Sequence, residues 1–243
     1  MFTNTVIVTG GSRGIGYEIV KLLLQNSYSV VYTYLHGNKH FNDLADIAHK
    51  NKVGCECYKL DVSNSDEVRT FKKWFVEKKY ELAGLVNNAG IISNNLIISM
   101  SDEDWHNVIN VNLTGTFYMC REFATLMLKG RKGFIVNISS THGINGTIGG
   151  ANYAASKGGV IAFSKSLGLE LSKFGIRVNV LAPGYIDTDM IADFGEKQCD
   201  SLKKKISLNR FGTPEEVAQM VLFLANGNHF CQNAVLTMDG GVV

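Results

Sequence analysis

Seven short apolar runs recur along the chain, at residues 6–9, 29–34, 54–60, 85–87, 134–138, 177–181 and 234–238, with helix-period segments between most of them. A short run that is apolar throughout suits a strand covered on both faces. Strands that alternate with helices pair in parallel, because a parallel connection needs a crossover long enough to hold a helix. The chain is therefore expected to be α/β, a doubly wound parallel sheet of about seven strands with helices on both faces. Its 243 residues contain only two prolines, Pro183 and Pro214, and no linker-like or charge-rich break, so a single domain over 1–243 is expected.

Helix starts support that register. Ser63 with Asp66 and Ser101 with Asp104 read as capping boxes, and Thr213-Pro214-Glu215-Glu216 adds proline at the first helical position. In such a sheet ligands bind beyond the carboxyl ends of the strands, where helix N-termini and loop amides converge.

Composition narrows the function classes. With 45% hydrophobic and 19% charged residues the chain can bury a large core, and at net charge +2 its lysines and arginines are scattered. Nucleic acid is not an expected partner; Lys203, Lys204 and Lys205 read as the solvated face of a helix. No leader or membrane-spanning pattern is seen, which leads to the expectation of a cytoplasmic protein with no membrane partner. The five cysteines lack zinc-site spacing and read as reduced thiols, with Cys55 and Cys57 expected on opposite sides of a strand. The six histidines, His36, His40, His49, His106, His142 and His229, show no ligand spacing, so no metal is expected.

The first run leads into Thr9-Gly10-Gly11-Ser12-Arg13-Gly14-Ile15-Gly16 and then an amphipathic helix. Glycines allow a tight turn and close approach to a pyrophosphate, which a helix N-terminus stabilises. A dinucleotide is the expected ligand. Sites that prefer NADH carry an acid at the end of the second strand, and Tyr32 to Lys39 contains none. Arg13, the strongest candidate, with His36 and Lys39, would suit a 2′-phosphate, which favours NADPH/NADP+.

After the fifth run come Ser139 and Ser140, a glycine-rich loop, and Tyr153-Ala154-Ala155-Ser156-Lys157. Tyr153 and Lys157 are four residues apart and share a helix face. An ammonium beside a tyrosine stabilises its phenolate; lowering the pKa by roughly three units takes about 4 kcal/mol. The pair is thus a candidate acid/base couple, with Lys157, aided by the positive charge of an oxidised nicotinamide, expected to lower the tyrosine pKa.

The glycine turn, Asp61-Val62, Asn87-Asn88-Ala89-Gly90, Asn112, Ser140, Tyr153, Lys157, Pro183-Gly184 and Asp239-Gly240-Gly241 stand in one order along essentially the whole chain. In this the sequence resembles the short-chain dehydrogenase/reductase family, in its single-domain Rossmann-type branch that includes bacterial β-ketoacyl-acyl-carrier-protein reductases. The resemblance implies that Tyr153 protonates a ketone oxygen as NADPH delivers hydride, that Ser140 rather than Ser139 hydrogen-bonds that oxygen, that Lys157 binds the nicotinamide ribose, and that Asn112 holds a relay water. It also implies that Asp61, Val62, Asn88, Ala89 and Gly90 border the adenosine half, and that Pro183, Gly184, Ile186 and Thr188 meet the nicotinamide end.

The same resemblance implies a 3-oxoacyl thioester substrate, carried by an acyl carrier protein in fatty-acid or polyketide-type synthesis, and a homotetramer or homodimer. The alternative is a free ketone or secondary alcohol. Specificity is expected from residues 141–150, with His142, Asn145 and Ile148, and from a loop or lid at about 185–207, with Met190 and Phe194. His142 reads as a loop hydrogen-bonder rather than a second base. Carrier-dependent members are expected to place basic residues near the site mouth. Arg131 matches one such position, but Phe174 replaces the usual basic residue before Gly175-Ile176, so the expectation is either weaker carrier docking or docking through Lys129, Arg131 and Lys173 in a different arrangement. Gln232-Asn233 replaces a Thr-Gly pair before the last strand, which bears on assembly.

Overall fold

A computed structural model describes residues 2–188, 195–227 and 230–242. Its strands are β1 (Thr5–Val8), β2 (Ser29–Tyr34), β3 (Cys55–Lys59), β4 (Leu82–Asn87), β5 (Gly133–Ile138), β6 (Ile176–Pro183) and β7 (Val235–Met238). They form one all-parallel sheet in the order β3-β2-β1-β4-β5-β6-β7. The expected doubly wound architecture is present.

Period-two alternation is hidden inside the continuous apolar runs. Val6 and Val8 pack on one face of the sheet, with Val30, Tyr32, Val86 and Val136, against α1 (Gly14–Gln25), α2 (Phe41–Lys50) and α9 (Pro214–Asn226). Ile7, Val31, Leu85 and Ile135 face the other way, against α3 (Ser65–Glu77), α5 (Gly115–Gly130) and the end of α7 (Ala151–Leu171). Neighbouring side chains on a strand point to opposite faces, so both layers draw on the same short runs.

The differences from expectation have local causes. Strand β4 begins at Leu82, ahead of the expected run, because Gly84 leaves room for Phe134: a Cβ at Gly84 would lie 2.2 Å from the ring's Cζ. The cap of α3 is Asn64, whose side chain accepts from the amides of Asp66 and Glu67, whereas the Ser63 hydroxyl donates to Asp61 at 2.6 Å. The box at Ser101 forms as expected, and Thr213, just ahead of the expected Pro214 start, closes one with Glu216 as well. Cys55 and Cys57, two residues apart, share a face rather than opposing each other, and both pack against the layer containing α1. Burial raises the pKa of each, that of Cys55 to about 12.

Two further features position the site. Helix α4 (Asp102–Ile109) runs into α5 through a π-helical turn, Asn110–Thr114, and a short helix α6 (His142–Asn145) bridges β5 to α7. Helix α8 (Glu196–Lys203) follows β6. None of the described helices is long and apolar enough to cross a membrane.

Candidate active site

Strand β1 lies between β2 and β4, so the chain winds away from it in both directions and the carboxyl ends open a crevice at this point. The glycine turn lies there. Gly10 has φ +66°, and a Cβ at Gly16 would stand 2.1 Å from the Gly10 carbonyl oxygen, so backbone packs on backbone. Thr9 Oγ1 accepts from the amides of Asn88 and Ala89, both at 3.0 Å. Asn88 Nδ2 returns two bonds, to the carbonyls of Thr9 and Gly10 at 3.0 and 3.1 Å. Asn88 therefore ties the turn to β4.

Arg13 precedes α1 with no side-chain cap, and the first turn of α1 has no acidic residue. Its amides and positive dipole end are left for an anion. Thr188 Cγ2 lies 3.7 Å from the place a Gly14 Cβ would take, so the segment after β6 closes onto the turn. This cradle, which side chains would fill, fits a dinucleotide pyrophosphate. Beyond β2, His36 and Lys39 are exposed, as is Arg13, and none of the three has an ion pair among the described residues. Asp61 uses Oδ1 for the Ser63 amide and hydroxyl, and Val62 is buried against Gly115. Ile15 packs against the α1-side core. Ser12 and Ile186 are buried, and Gly184 donates its amide to Met238 at 2.9 Å.

Across the crevice β5 delivers Ser139 and Ser140, and α7 delivers Tyr153 and Lys157. The two serines divide the work: Ser139 Oγ donates to the Lys157 carbonyl at 2.8 Å, while Ser140 hydrogen-bonds the Tyr153 side chain. Lys157 Nζ lies 5.7 Å from the Tyr153 ring centroid and donates to the Ile138 carbonyl at 2.8 Å. Burial lowers the ammonium's pKa to about 8. Burial also raises the Tyr153 pKa, with the Ser140 bond acting against it. Among the protein's own groups burial is the largest influence on the tyrosine, whereas the expected lowering draws on the charge of an oxidised nicotinamide as well.

Asn112 sits inside the π-helical turn and is 1% exposed. Its Oδ1 accepts from the Ile91 amide at 2.8 Å and its Nδ2 donates to the Ile91 carbonyl and to Ser156 Oγ, at 3.0 and 3.1 Å. A Cβ on Gly90 would fall 3.2 Å from Asn112 Oδ1 and 3.4 Å from Lys157 Nζ, so these two groups share the space over Gly90. π-Turns inside α-helices concentrate at functional sites.

A glycine cradle, a Tyr/Lys pair on one helix and a serine bonded to that tyrosine thus meet at the carboxyl ends of β1, β4 and β5. Residues 4–199 match the family model described as short chain dehydrogenase. The chain belongs to this family. Among its relatives, the 3-oxoacyl-(acyl-carrier-protein) reductase FabG of Chlamydia pneumoniae is 42% identical over 240 residues, covering 98% of this chain and 96% of the relative. The reductase of that name from Thermotoga maritima is 39% identical over 238 residues, covering 98% and 96%. Carbonyl reductase family member 4 of Xenopus laevis is 41% identical over 235 residues, covering 97% and 96%.

Within this short chain dehydrogenase, several supporting residues escaped the sequence reading. Besides Thr9, Asn152 is fully buried, donates to the carbonyls of Ser93 and Asp104, and accepts from the Tyr153 amide at 2.8 Å. Ser156 accepts from Asn112 and donates to the Tyr153 carbonyl at 2.7 Å. The available signal was polar residues beside the tyrosine on a helix that packs into the core.

Within one copy of the chain the expected carrier-docking residues lie away from this crevice. Arg131 precedes β5, and Lys173 and Phe174 precede β6, so all three lie at the amino end of the sheet, roughly 20 Å of strand from Tyr153 within one copy of the chain. There Arg131 and Lys173 both lie over the Phe174 ring, at 5.6 and 5.2 Å. Gln232 makes the Gln-Asn pair a built turn, accepting from the Val178 amide and donating to the Gly168 carbonyl. Ile144 and Ile148 are exposed at the rim of the site; Met190 and Phe194 lie outside the described residues. The described residues hold no cluster of three His, Cys, Asp or Glu able to bind a metal.

Proposed function

We propose that this chain is an NADPH-dependent oxidoreductase that reduces a 3-oxoacyl thioester, carried by an acyl carrier protein, to the 3-hydroxyacyl product. The observation that carries the reading is the Ser140–Tyr153–Lys157 constellation facing the glycine cradle, in a chain about 40% identical over its length to 3-oxoacyl-(acyl-carrier-protein) reductases. When bound, the nicotinamide supplies hydride to the carbonyl carbon.

The chain's own groups handle the oxygen and the proton. Burial keeps the Tyr153 hydroxyl protonated at neutral pH, the state needed to donate to a ketone oxygen, and Ser140 hydrogen-bonds that oxygen as it becomes an alkoxide. The phenolate left on Tyr153 is stabilised by the Lys157 ammonium. With its pKa near 8, Lys157 can pass on a proton at neutral pH. Asn112, beside the same ammonium, would stand on the proton route. The Gly10–Gly16 turn with Ser12 and Ile15, together with Asp61, Val62, Asn88, Ala89, Gly90, Pro183, Gly184, Ile186 and Thr188, would hold the dinucleotide. Arg13 at the uncapped start of α1 supports the choice of NADPH.

The similarity to carbonyl reductase family member 4 keeps a second reading, a free ketone substrate. Oxidation of NADPH and of NADH is compared with acetoacetyl groups on carrier protein, on CoA and with free ketones, using Tyr153→Phe as control. NADPH-preferring turnover that is fastest on the carrier and lost in the variant is expected; Tyr153-dependent turnover confined to free ketones overturns the thioester reading. A single domain, a cytoplasmic location and a homotetramer or homodimer belong to the same proposal, the last tested by light scattering.

A further inference from the structure

Among the described residues His142 is the one imidazole beside the Ser140–Tyr153 pair, and two separate contacts fix its backbone there. Its amide donates to Ser140 Oγ at 3.2 Å. The next residue, Gly143, packs directly on α7: a Cβ there would lie 2.6 Å from the Lys157 carbonyl carbon. Helix α6 is thereby held against the helix that carries the acid/base pair.

The ring is oriented as firmly as the backbone. It meets Tyr153 edge-on at 6.3 Å between centroids and Tyr185 edge-on at 5.5 Å, and Tyr185 leans in turn on Phe211 at 6.1 Å. The imidazole is only partly exposed, yet no hydrogen bond to it is made among the described residues. A half-buried donor held between aromatic walls, with no partner among the described residues, is suited to a ligand partner. Burial lowers its pKa below 6.5, so at neutral pH it offers one N–H without adding a positive charge beside Tyr153.

We propose that His142 is a specificity-determining residue that selects 1,3-dicarbonyl substrates, its imidazole N–H donating to the thioester carbonyl oxygen while Ser140 and Tyr153 hold the ketone oxygen. This deepens the proposed function and rests on it. In a 3-oxoacyl thioester the two carbonyl carbons are separated by a single methylene, so the second oxygen must lie close to the first. The His142 backbone is anchored to Ser140 itself, and its ring stands next to Tyr153. A ketone with one carbonyl forgoes the His142 bond and keeps the others.

The test compares kcat/KM for acetoacetyl-CoA with that for an analogue whose thioester carbonyl is replaced by methylene, in wild type, His142→Phe, His142→Leu and His142→Gln. Losing one hydrogen bond to substrate predicts a roughly tenfold or greater fall for His142→Phe on acetoacetyl-CoA, with less than about a threefold change on the analogue. His142→Gln, which keeps a donor, should regain most of the loss. Equal losses on both substrates, or a His142→Phe enzyme as fast as wild type on acetoacetyl-CoA, would overturn the inference. His142→Phe retains the aromatic contacts with Tyr153 and Tyr185, so a fold defect confined to His142→Leu leaves the comparison intact. Absence of wild-type turnover on acetoacetyl-CoA and on carrier-bound acetoacetyl overturns the proposed function and this inference together, whereas normal wild-type turnover with an unaffected His142→Phe overturns this one alone.

Discussion

The two walls of the crevice are made of different material. On the β1–β4 wall the working surface is backbone: glycines 10, 14 and 16 and the uncapped start of α1, held by Thr9 and Asn88 through bonds of about 3 Å. On the β5–β6 wall it is side chains: Ser140, Tyr153, Lys157 and His142, whose positions depend on Asn152, Ser156 and the packing of α6 on α7. A backbone wall recognises a ligand part that never changes, such as a pyrophosphate. A side-chain wall can exchange substrates while the chemistry stays in place.

Substitutions should separate the walls. The largest effect is expected from Tyr153→Phe, which removes the proton donor: kcat should fall roughly a thousandfold while cofactor affinity, measured by fluorescence titration, changes little. Gly16→Ala should do the opposite kind of damage. Its Cβ would stand 2.1 Å from the Gly10 carbonyl oxygen, so the turn must open, at a cost of about 3 kcal/mol in urea unfolding and with loss of cofactor binding. Retained binding in Gly16→Ala would mean that the backbone wall is less rigid than its contacts imply.

Asn88→Ala sharpens the contrast. It deletes two of the bonds that tie the turn to β4, so a stability loss of about 2 kcal/mol and a raised KM for cofactor are expected with kcat nearly unchanged. A fall in kcat alone would place Asn88 with the chemistry instead.

The smallest net effect on stability, and the one with opposite signs for stability and activity, is expected for Lys157→Met. The buried lysine's folded pKa, about 8, lies below its ordinary 10.5, so below pH 8 burial of the charge destabilises the fold, by about 3 kcal/mol for a shift of that size. Between about pH 8 and 10.5 the unfolded chain binds more protons, so wild-type stability rises and the penalty disappears. Removing the lysine also leaves the Ile138 carbonyl without its ammonium donor, which takes back part of the gain. The cofactor-free variant should therefore be about 1–2 kcal/mol more stable than wild type at pH 7 and lose that advantage by pH 10, while turnover collapses. Denaturant unfolding at both pH values decides it.

Legibility in the sequence follows the same division. The strand runs, the glycine turn, the Ser101 capping box and the proline start of α9 were readable because each depends on neighbouring residues. The start of β4 was not, since Gly84 makes sense only against Phe134, from a neighbouring strand. Nor was the cap of α3: Ser63 and Asn64 are both good caps, and only the Asp61 side chain decides between them. Tyr153 and Lys157 could be found from their spacing, but the direction of the tyrosine's pKa depends on burial by distant segments. Arg131 and Lys173 were recognisable as a basic pair, whereas their place at the far end of the sheet followed from which end of a strand each one precedes.

The π-helical turn at Asn110–Thr114 ties chain length to geometry. One residue advances an α-helix by about 100°, so the extra residue within this turn puts α4 and α5 out of phase with each other. That offset lets Asn112 face Ile91 and Ser156 while Met119, Phe123 and Met127, further along, face the sheet. Shortening the turn by a single residue would leave a perfectly good helix and rotate one of these two faces out of place.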